Sequence, residues 1–248
     1  MSALKPLQRV QRQWTALGDH DPLWAILTRP EKRNGAWVPE DFFATGQIEI
    51  NEVLSQASAL SRVNFGTALD FGCGVGRLSQ ALSAHFERVI GIDVAAPMIE
   101  AARRFNRYPD RCEYVHNVAP NLANVACGSV DLLYSNITLQ HVVPALAREY
   151  IREFFRVTRL GGLAIFQLPT RPRSLLWHWV KRVTPLAATN LLWRLRTGSP
   201  EAIESYFLAE RQVCALVEKA GGTVLLVEPD DNGPPGWESR RYFCMRPS

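Results

Sequence analysis

With 248 residues, 47% hydrophobic and 21% charged, the chain has room for one α/β domain with appended pieces and a sizeable core. A formal net charge of +4 is too mild to announce a nucleic-acid partner. Five cysteines, at 73, 112, 127, 214 and 244, show no C-x-x-C pair and no metal-ligand spacing, which argues against a secreted disulfide framework and a metal centre.

Residues 1–62 read as a helical region with breaks at Pro and Gly. Val10, Trp14 and Leu17 recur at helical spacing, and a second apolar patch opens at Leu23. Lys5, Arg9 and Arg12 precede no apolar segment of the signal-peptide kind, and no run of about eighteen apolar residues follows anywhere, so a cytoplasmic location is expected. Asp19, His20 and Asp21 form a tempting acid and base cluster, but a solvated turn in which Asp21 caps a helix at Pro22 accounts for them. The segment Phe42-Phe43-Ala44-Thr45-Gly46 leads into a helix with Ile48, Ile50, Val53, Leu54 and Ala57 inward.

From Thr67 strands and helices alternate, the mark of a doubly wound, mostly parallel sheet. The first strand, Ala68 to Phe71, runs into Gly72-Cys73-Gly74-Val75-Gly76 and a helix expected from about Val75 to Phe86. The second, Arg88 to Asp93, ends in a carboxylate twenty-one residues beyond Gly72. Glycines at every second position let a ligand lie against bare backbone, and Asp93 falls where a nucleotide-binding unit holds ribose hydroxyls. In neither frame does a third glycine complete G-x-G-x-x-G, because Arg77 or Ser79 occupies its place, and no P-loop is present. Asp70 beside the loop repels a pyrophosphate and suits an ammonium.

An acid, then G-C-G-V-G, then a second acid after the next strand resemble the first two motifs of the class I S-adenosylmethionine (SAM)-dependent methyltransferases, from about residue 64 to the end. The resemblance implies a seven-stranded Rossmann-like fold over 63–248, an N-terminal helical lid over 1–62, and SAM as cofactor with S-adenosylhomocysteine (SAH) as product. It assigns the cofactor to Asp70, Phe71, Gly72, Cys73, Gly74, Gly76, Arg77, Asp93 and Val94. Met98 is expected against adenine, Asn117 ends strand three (Cys112 to Asn117) with Val118 after it as expected adenine contacts, and Asn136, after strand four (Val130 to Ser135), is expected at the methionine tail. In the lid, Phe43, Thr45 and Gly46 become candidates for the SAM site.

The loop Asn136-Ile137-Thr138-Leu139-Gln140-His141 lacks the tetrad of base-methylating DNA enzymes, and a Leu-Gln-His segment here is similar to that of small-molecule methyltransferases. His141 is the candidate base; Phe43, Gln140, His141, Trp177 and Trp237 are candidates for the acceptor pocket. A helix from Pro144 to Thr158 and strand five, Leu163 to Leu168, follow. An insertion at about 170–200 is then expected to form two short helices, Ser174 to Val183 and Leu186 to Leu195. Between Phe154 and Pro200 there are eight Lys and Arg and no acid, with Trp177, Trp179 and Trp193 among them. A helix from Ala202 to Ala220 and two strands, Thr223 to Glu228 and Arg241 to Met245, close the chain.

The expected function is methyl transfer from SAM to an O or N atom of a small-molecule metabolite, by a monomer or homodimer without a metal. The alternatives are an RNA methyltransferase or a membrane-associated lipid methyltransferase using the basic, Trp-bearing insertion, or a non-catalytic SAM-binding protein.

Overall fold

The computed structural model describes residues 4–174, 204–234 and 236–248. Three helices precede the sheet: α1 (Leu4–His20), α2 (Pro22–Ile26) and α3 (Pro39–Leu60). Asp21 caps α2, accepting from Trp24 N (3.4 Å), and its other oxygen accepts from Gly35 N (2.9 Å). Asp19 and His20 are exposed, as a solvated turn requires, whereas Asp21 is buried and ties α2 to the loop before α3. α3 starts on Pro39 with Glu40 and Asp41 in its first turn, where acids favour the helix dipole.

The alternating region gives β1 (Thr67–Phe71), α4 (Arg77–Ser83), β2 (Arg88–Asp93), α5 (Ala96–Phe105), β3 (Cys112–His116) and β4 (Val130–Ser135). It continues through α6 (Pro144–Val157), β5 (Thr158–Pro172), α7 (Glu210–Lys219), β6 (Thr223–Asp230) and β7 (Trp237–Met245). The sheet order is β3-β2-β1-β4-β5-β7-β6, parallel except for β7, which runs antiparallel to both its neighbours. Side chains alternate between two layers. Leu69, Phe71, Ile90, Ile92, Leu133 and Phe166 face α6 and α7, whereas Ala68, Val89, Leu132, Tyr134 and Ile165 face α3, α4 and α5. A third apolar cluster, with Trp24, Trp37, Phe42, Phe43, Met98 and Ala101, fastens the N-terminal helices to α5.

Several boundaries differ from expectation for local reasons. α4 opens at Arg77 because Gly76 takes φ +82°, which ends the loop in the left-handed region. β5 is longer at both ends. Thr158 pairs with Val130 and Leu163 with Leu132, so 159–162 bulge out of the ladder, and Pro169 to Pro172 continue beside β7. α7 starts at Glu210, and residues 204–208 dock without helix, Tyr206 N on Gln140 O (2.8 Å) and Leu208 N on Pro169 O (3.1 Å). The two helices expected within 174–195, with Trp177 and Trp179, lie almost wholly outside the described residues.

Ile48, expected inward, is 61% exposed, whereas Ile50, Val53, Leu54 and Ala57 are buried. Phe43, Thr45 and Gly46 lie inside α3, not before it. Among the described residues no helix is long and apolar enough to cross a membrane.

Candidate active site

Sequence order reverses direction between β1 and β4, the position at which an open α/β sheet leaves a crevice beyond the carboxyl ends of its strands. A cavity of about 860 Å³, counting its open mouth, lies there. Its floor comes from Phe71, Gly72 and Cys73 after β1, Asp93 and Val94 after β2, Asn117 after β3, and Asn136, Ile137 and Thr138 after β4. Its roof comes from α1 and α2, through Leu7, Val10, Trp14 and Ile26.

The loop after β1 is held from below: Gly72 N and Cys73 N both donate to Ile92 O (2.8 and 3.0 Å). Gly72, at φ +76°, lies where a Cβ would collide with the Thr138 side chain, so the bare backbone brings the β1 and β4 loops together. A Cβ at Gly74 would strike Ile26 and one at Gly76 the Tyr114 hydroxyl. The three glycines therefore make room for protein neighbours as well as for a ligand.

Asp93 accepts from Gly74 N with one oxygen and from Ala95 N with the other, each at 2.9 Å. Burial pushes its carboxyl up from the ordinary range, against the pull of the backbone donors. A carboxylate has about four acceptor positions, so two stay available on the cavity side, as many as a ribose diol needs.

Asp70 is placed differently. On β1 it shares the face of Ala68, which points to α4, and it accepts from Ser79 Oγ (2.6 Å) beneath the loop. Burial raises its pKa to about 7, with the Ser79 hydrogen bond opposing.

Arg77 is 4% exposed, and its guanidinium is fixed by α3: Nη2 donates to Glu49 (2.8 Å) and Nη1 to Thr45 Oγ1 (3.4 Å). Asn136 Nδ2 also donates to Glu49 (2.6 Å), as does the Tyr134 hydroxyl (2.8 Å). Burial alone would raise the pKa of Glu49; the Arg77 charge and these three donors outweigh it and hold the carboxyl below its usual value. Two buried polar atoms of cavity-lining residues are left without a partner, Arg77 Nε and Asn136 Oδ1. One is a cationic donor and the other a neutral acceptor. A ligand bringing a carboxylate and an ammonium satisfies both, and leaving them unsatisfied costs about 1–3 kcal/mol each. The amino-acid end of SAM carries that pair of groups.

His141, at the end of a short 3₁₀ turn (Leu139–His141), lines the cavity with its ring edge-on to Trp14, centroids 5.2 Å apart. Gln140 Nε2 donates to its Nε2 (3.0 Å), so Nδ1 carries the proton and donates to Glu204 O (3.1 Å). Burial lowers its pKa to about 4. Gln140 in turn accepts from Gln167 (3.3 Å), which donates to Ser239 (3.0 Å). Arg9 on α1 pairs with the Glu204 carboxylate at 2.6 Å, closing the ring of contacts around His141.

Of the residues singled out in the sequence, the structure brings Phe71, Gly72, Cys73, Arg77, Asp93, Val94, Asn117, Asn136 and His141 to one cavity. The Asn117 side chain is engaged locally, donating to Asn121 O (2.8 Å) and accepting from Ala119 N (3.1 Å). Gly74 and Gly76 shape the loop from behind. Met98 is fully buried between α5 and the lid, Phe43 packs on Phe42 and Phe105, and Val118 is exposed. Gln140 sits behind His141, while Trp237 begins β7 near Phe207. None of these five lines the cavity. Trp177 lies outside the described residues. Glu238 and Asp230 are ion-paired with Arg171 and Arg241 and do not line the cavity. Sequence reasoning missed Leu7, Val10, Trp14, Ile26, Thr138 and Val142 as lining groups, and Glu49 behind them.

Residues 69–166 match the family model of a methyltransferase domain. The matched segment runs from β1 into β5, less than half of the chain. A malonyl-[acyl-carrier protein] O-methyltransferase of Yersinia pestis is 36% identical over 100 residues, 40% of this chain and 34% of that one. A trans-aconitate 2-methyltransferase of Paracidovorax citrulli is 30% identical over 154 residues, 60% and 56% of the two chains. The match thus spans about a third to a little over half of these relatives. Among solved structures, the SAH-bound magnesium protoporphyrin IX methyltransferase from Synechocystis PCC 6803 superposes with a TM-score of 0.62 at 16% identity, over 97% of this chain and 99% of that one. At that identity the likeness is one of fold.

Proposed function

We propose that this methyltransferase moves a methyl group from SAM to an O or N atom of a small-molecule acceptor. The observation that carries the reading is the polarity of the cavity beyond β1 and β4. Asp93 keeps two acceptor positions, Arg77 Nε is an unpartnered cationic donor, and Asn136 Oδ1 is an unpartnered acceptor. The relatives named for malonyl-[acyl-carrier protein] and trans-aconitate support acceptors outside nucleic acid. The five free cysteines fit a reducing cytoplasm.

When bound, SAM supplies a methyl carbon already activated by its sulfonium. The chain's part is to bind, align and exclude water. Asp93 receives the ribose hydroxyls, and Val94, Asn117 and Ile137 flank the base. Arg77 and Asn136 take the carboxylate and the ammonium, and the roof of Leu7, Val10 and Trp14 keeps water away. His141 holds the wall: its Nε2 lone pair is occupied by Gln140, so it is an alignment group and not the proton acceptor.

Isothermal calorimetry of the purified chain with SAH tests this. Micromolar-range binding is expected. Asp93→Ala, with two charge-assisted ligand bonds removed at roughly 1.5–3 kcal/mol each, should lose at least a hundredfold in affinity. Folded protein without affinity for SAH or SAM would overturn the reading.

A further inference from the structure

We infer that Glu49, on the lid helix α3 and outside the matched methyltransferase segment, is the positioning residue that sets the subsite for the amino-acid end of the cofactor. The inference rests on the SAM reading above.

Glu49 does not line the cavity, yet it is the common partner of the two residues whose polar atoms are left over there. One carboxylate oxygen accepts from Arg77 Nη2, and the other accepts from Asn136 Nδ2 and the Tyr134 hydroxyl. These are long-range contacts: Arg77 opens α4, whereas Tyr134 ends β4 and Asn136 follows it. Glu49 thus joins the helix after the glycine loop to the strand across the switch point.

The geometry fixes which atoms remain for a ligand. With Nη2 on Glu49 and Nη1 on Thr45, the guanidinium is clamped by its two terminal nitrogens to α3, and Nε is its one nitrogen without a partner. With Nδ2 of the planar Asn136 amide on Glu49, Oδ1 is directed away from Glu49 and is likewise left over. Flipping the Asn136 amide to another partner would present a donor in place of the acceptor, and releasing Arg77 would move its charge.

The backbone of α3 is built for this approach. A Cβ on Gly46 would stand against the Arg77 carbonyl and 3.0 Å from its Cγ, so only glycine lets the helix lie on Arg77 with Thr45 and Glu49 to either side. Glu49 is also ionised, which keeps Arg77 neutralised as a pair while the site is empty. The buried pair is therefore a register device: Coulomb attraction offsets desolvation, and orientation is what the arrangement gains.

The test compares SAH with 5′-methylthioadenosine, which has the same adenosine and sulfur but no amino-acid end. Calorimetry is run on wild type, Glu49→Gln and Glu49→Asp, with circular dichroism and thermal unfolding as fold controls. Glu49→Gln is expected to weaken SAH by roughly tenfold to a hundredfold, about 1.4–2.7 kcal/mol, while 5′-methylthioadenosine stays within about twofold. Equal weakening of both ligands would mean that Glu49 only supports the fold, and an unchanged SAH affinity would mean that it does not act on the tail; either overturns the inference. Should Glu49→Gln fail to fold, Glu49→Asp decides on the same criterion, since it keeps the charge but withdraws the carboxylate by one methylene. A wild-type chain that binds neither ligand would instead overturn the functional reading.

Discussion

Replacing His141 by Phe separates a wall from a base. The variant keeps an aromatic ring against Trp14 and removes both nitrogens. At pH 8 it loses the hydrogen bond to Glu204 O and leaves the Gln140 amide one partner short, a cost of about 1–2 kcal/mol. Lower pH changes the balance. In the folded chain the His141 pKa is lowered by burial from 6.5 to about 4, so the native state stays neutral while the unfolded chain takes up a proton. The stability that the neutral imidazole contributes is complete above pH 6.5 and is lost as pH falls through 4. At 1.36 kcal/mol per unit the whole window is worth about 3 kcal/mol, of which roughly 2.5 is lost by pH 4.5. His141→Phe has no such loss, so the order should invert: wild type more stable at pH 8, the variant more stable by about 1 kcal/mol at pH 4.5. Urea unfolding followed by circular dichroism at the two pH values measures this. A difference between the two proteins that is the same at both pH values would refute the buried, neutral imidazole. The consequence for catalysis is that no limb of the kcat/KM profile near pH 6.5 belongs to His141.

Two further outcomes follow from the packing of the loop. Gly46→Ala should stabilise α3 by about 1 kcal/mol on helix propensity alone; because the new Cβ meets the Arg77 backbone, a net loss of roughly 1–3 kcal/mol is expected in thermal or denaturant unfolding. Asp70→Asn tests the other buried carboxyl. Its folded pKa, raised from 3.8 to about 7 by burial, means that wild-type stability is favoured below pH 3.8 and is lost as pH rises through 7. The variant should therefore gain on wild type by on the order of 4 kcal/mol between pH 4 and pH 8, and a flat difference in paired urea titrations would contradict the placement.

The parts of the fold that follow from periodicity were legible in the sequence. β2, β4 and the start of α6 fall where apolar runs and Pro97 or Pro144 put them, and the acid, glycine loop and second acid locate the cavity floor. Polar residues in helices were not legible. In α3 the neighbours Ile48 and Glu49 invert the usual rule, Ile48 being exposed and the Glu49 side chain only 14% exposed, because the partners that hold Glu49 come from β4 and α4. Hydrophobic pattern carries no information about a partner 28 to 87 residues away. Asp70 was misplaced for a simpler reason. Its position beside the loop suggests a ligand contact, but its strand parity, shared with Ala68, sends the side chain to Ser79. Leu7, Val10 and Trp14 were legible as an apolar helix face, yet such a face reads the same whether it covers a core or a ligand.

The floor and the roof of the cavity come from different parts of this chain. The matched segment, residues 69–166, supplies the floor: the glycine loop, Asp93 and the end of β4. The roof over the cavity and two of the contacts of His141 come from outside it: the ring meets Trp14 on α1, and Nδ1 donates to the backbone carbonyl of Glu204, whose carboxylate pairs with Arg9. Because Arg9 and Glu204 are partly exposed, their ion pair contributes little to stability. Its effect is geometric, joining α1 to the segment that leads into α7 across the cavity wall.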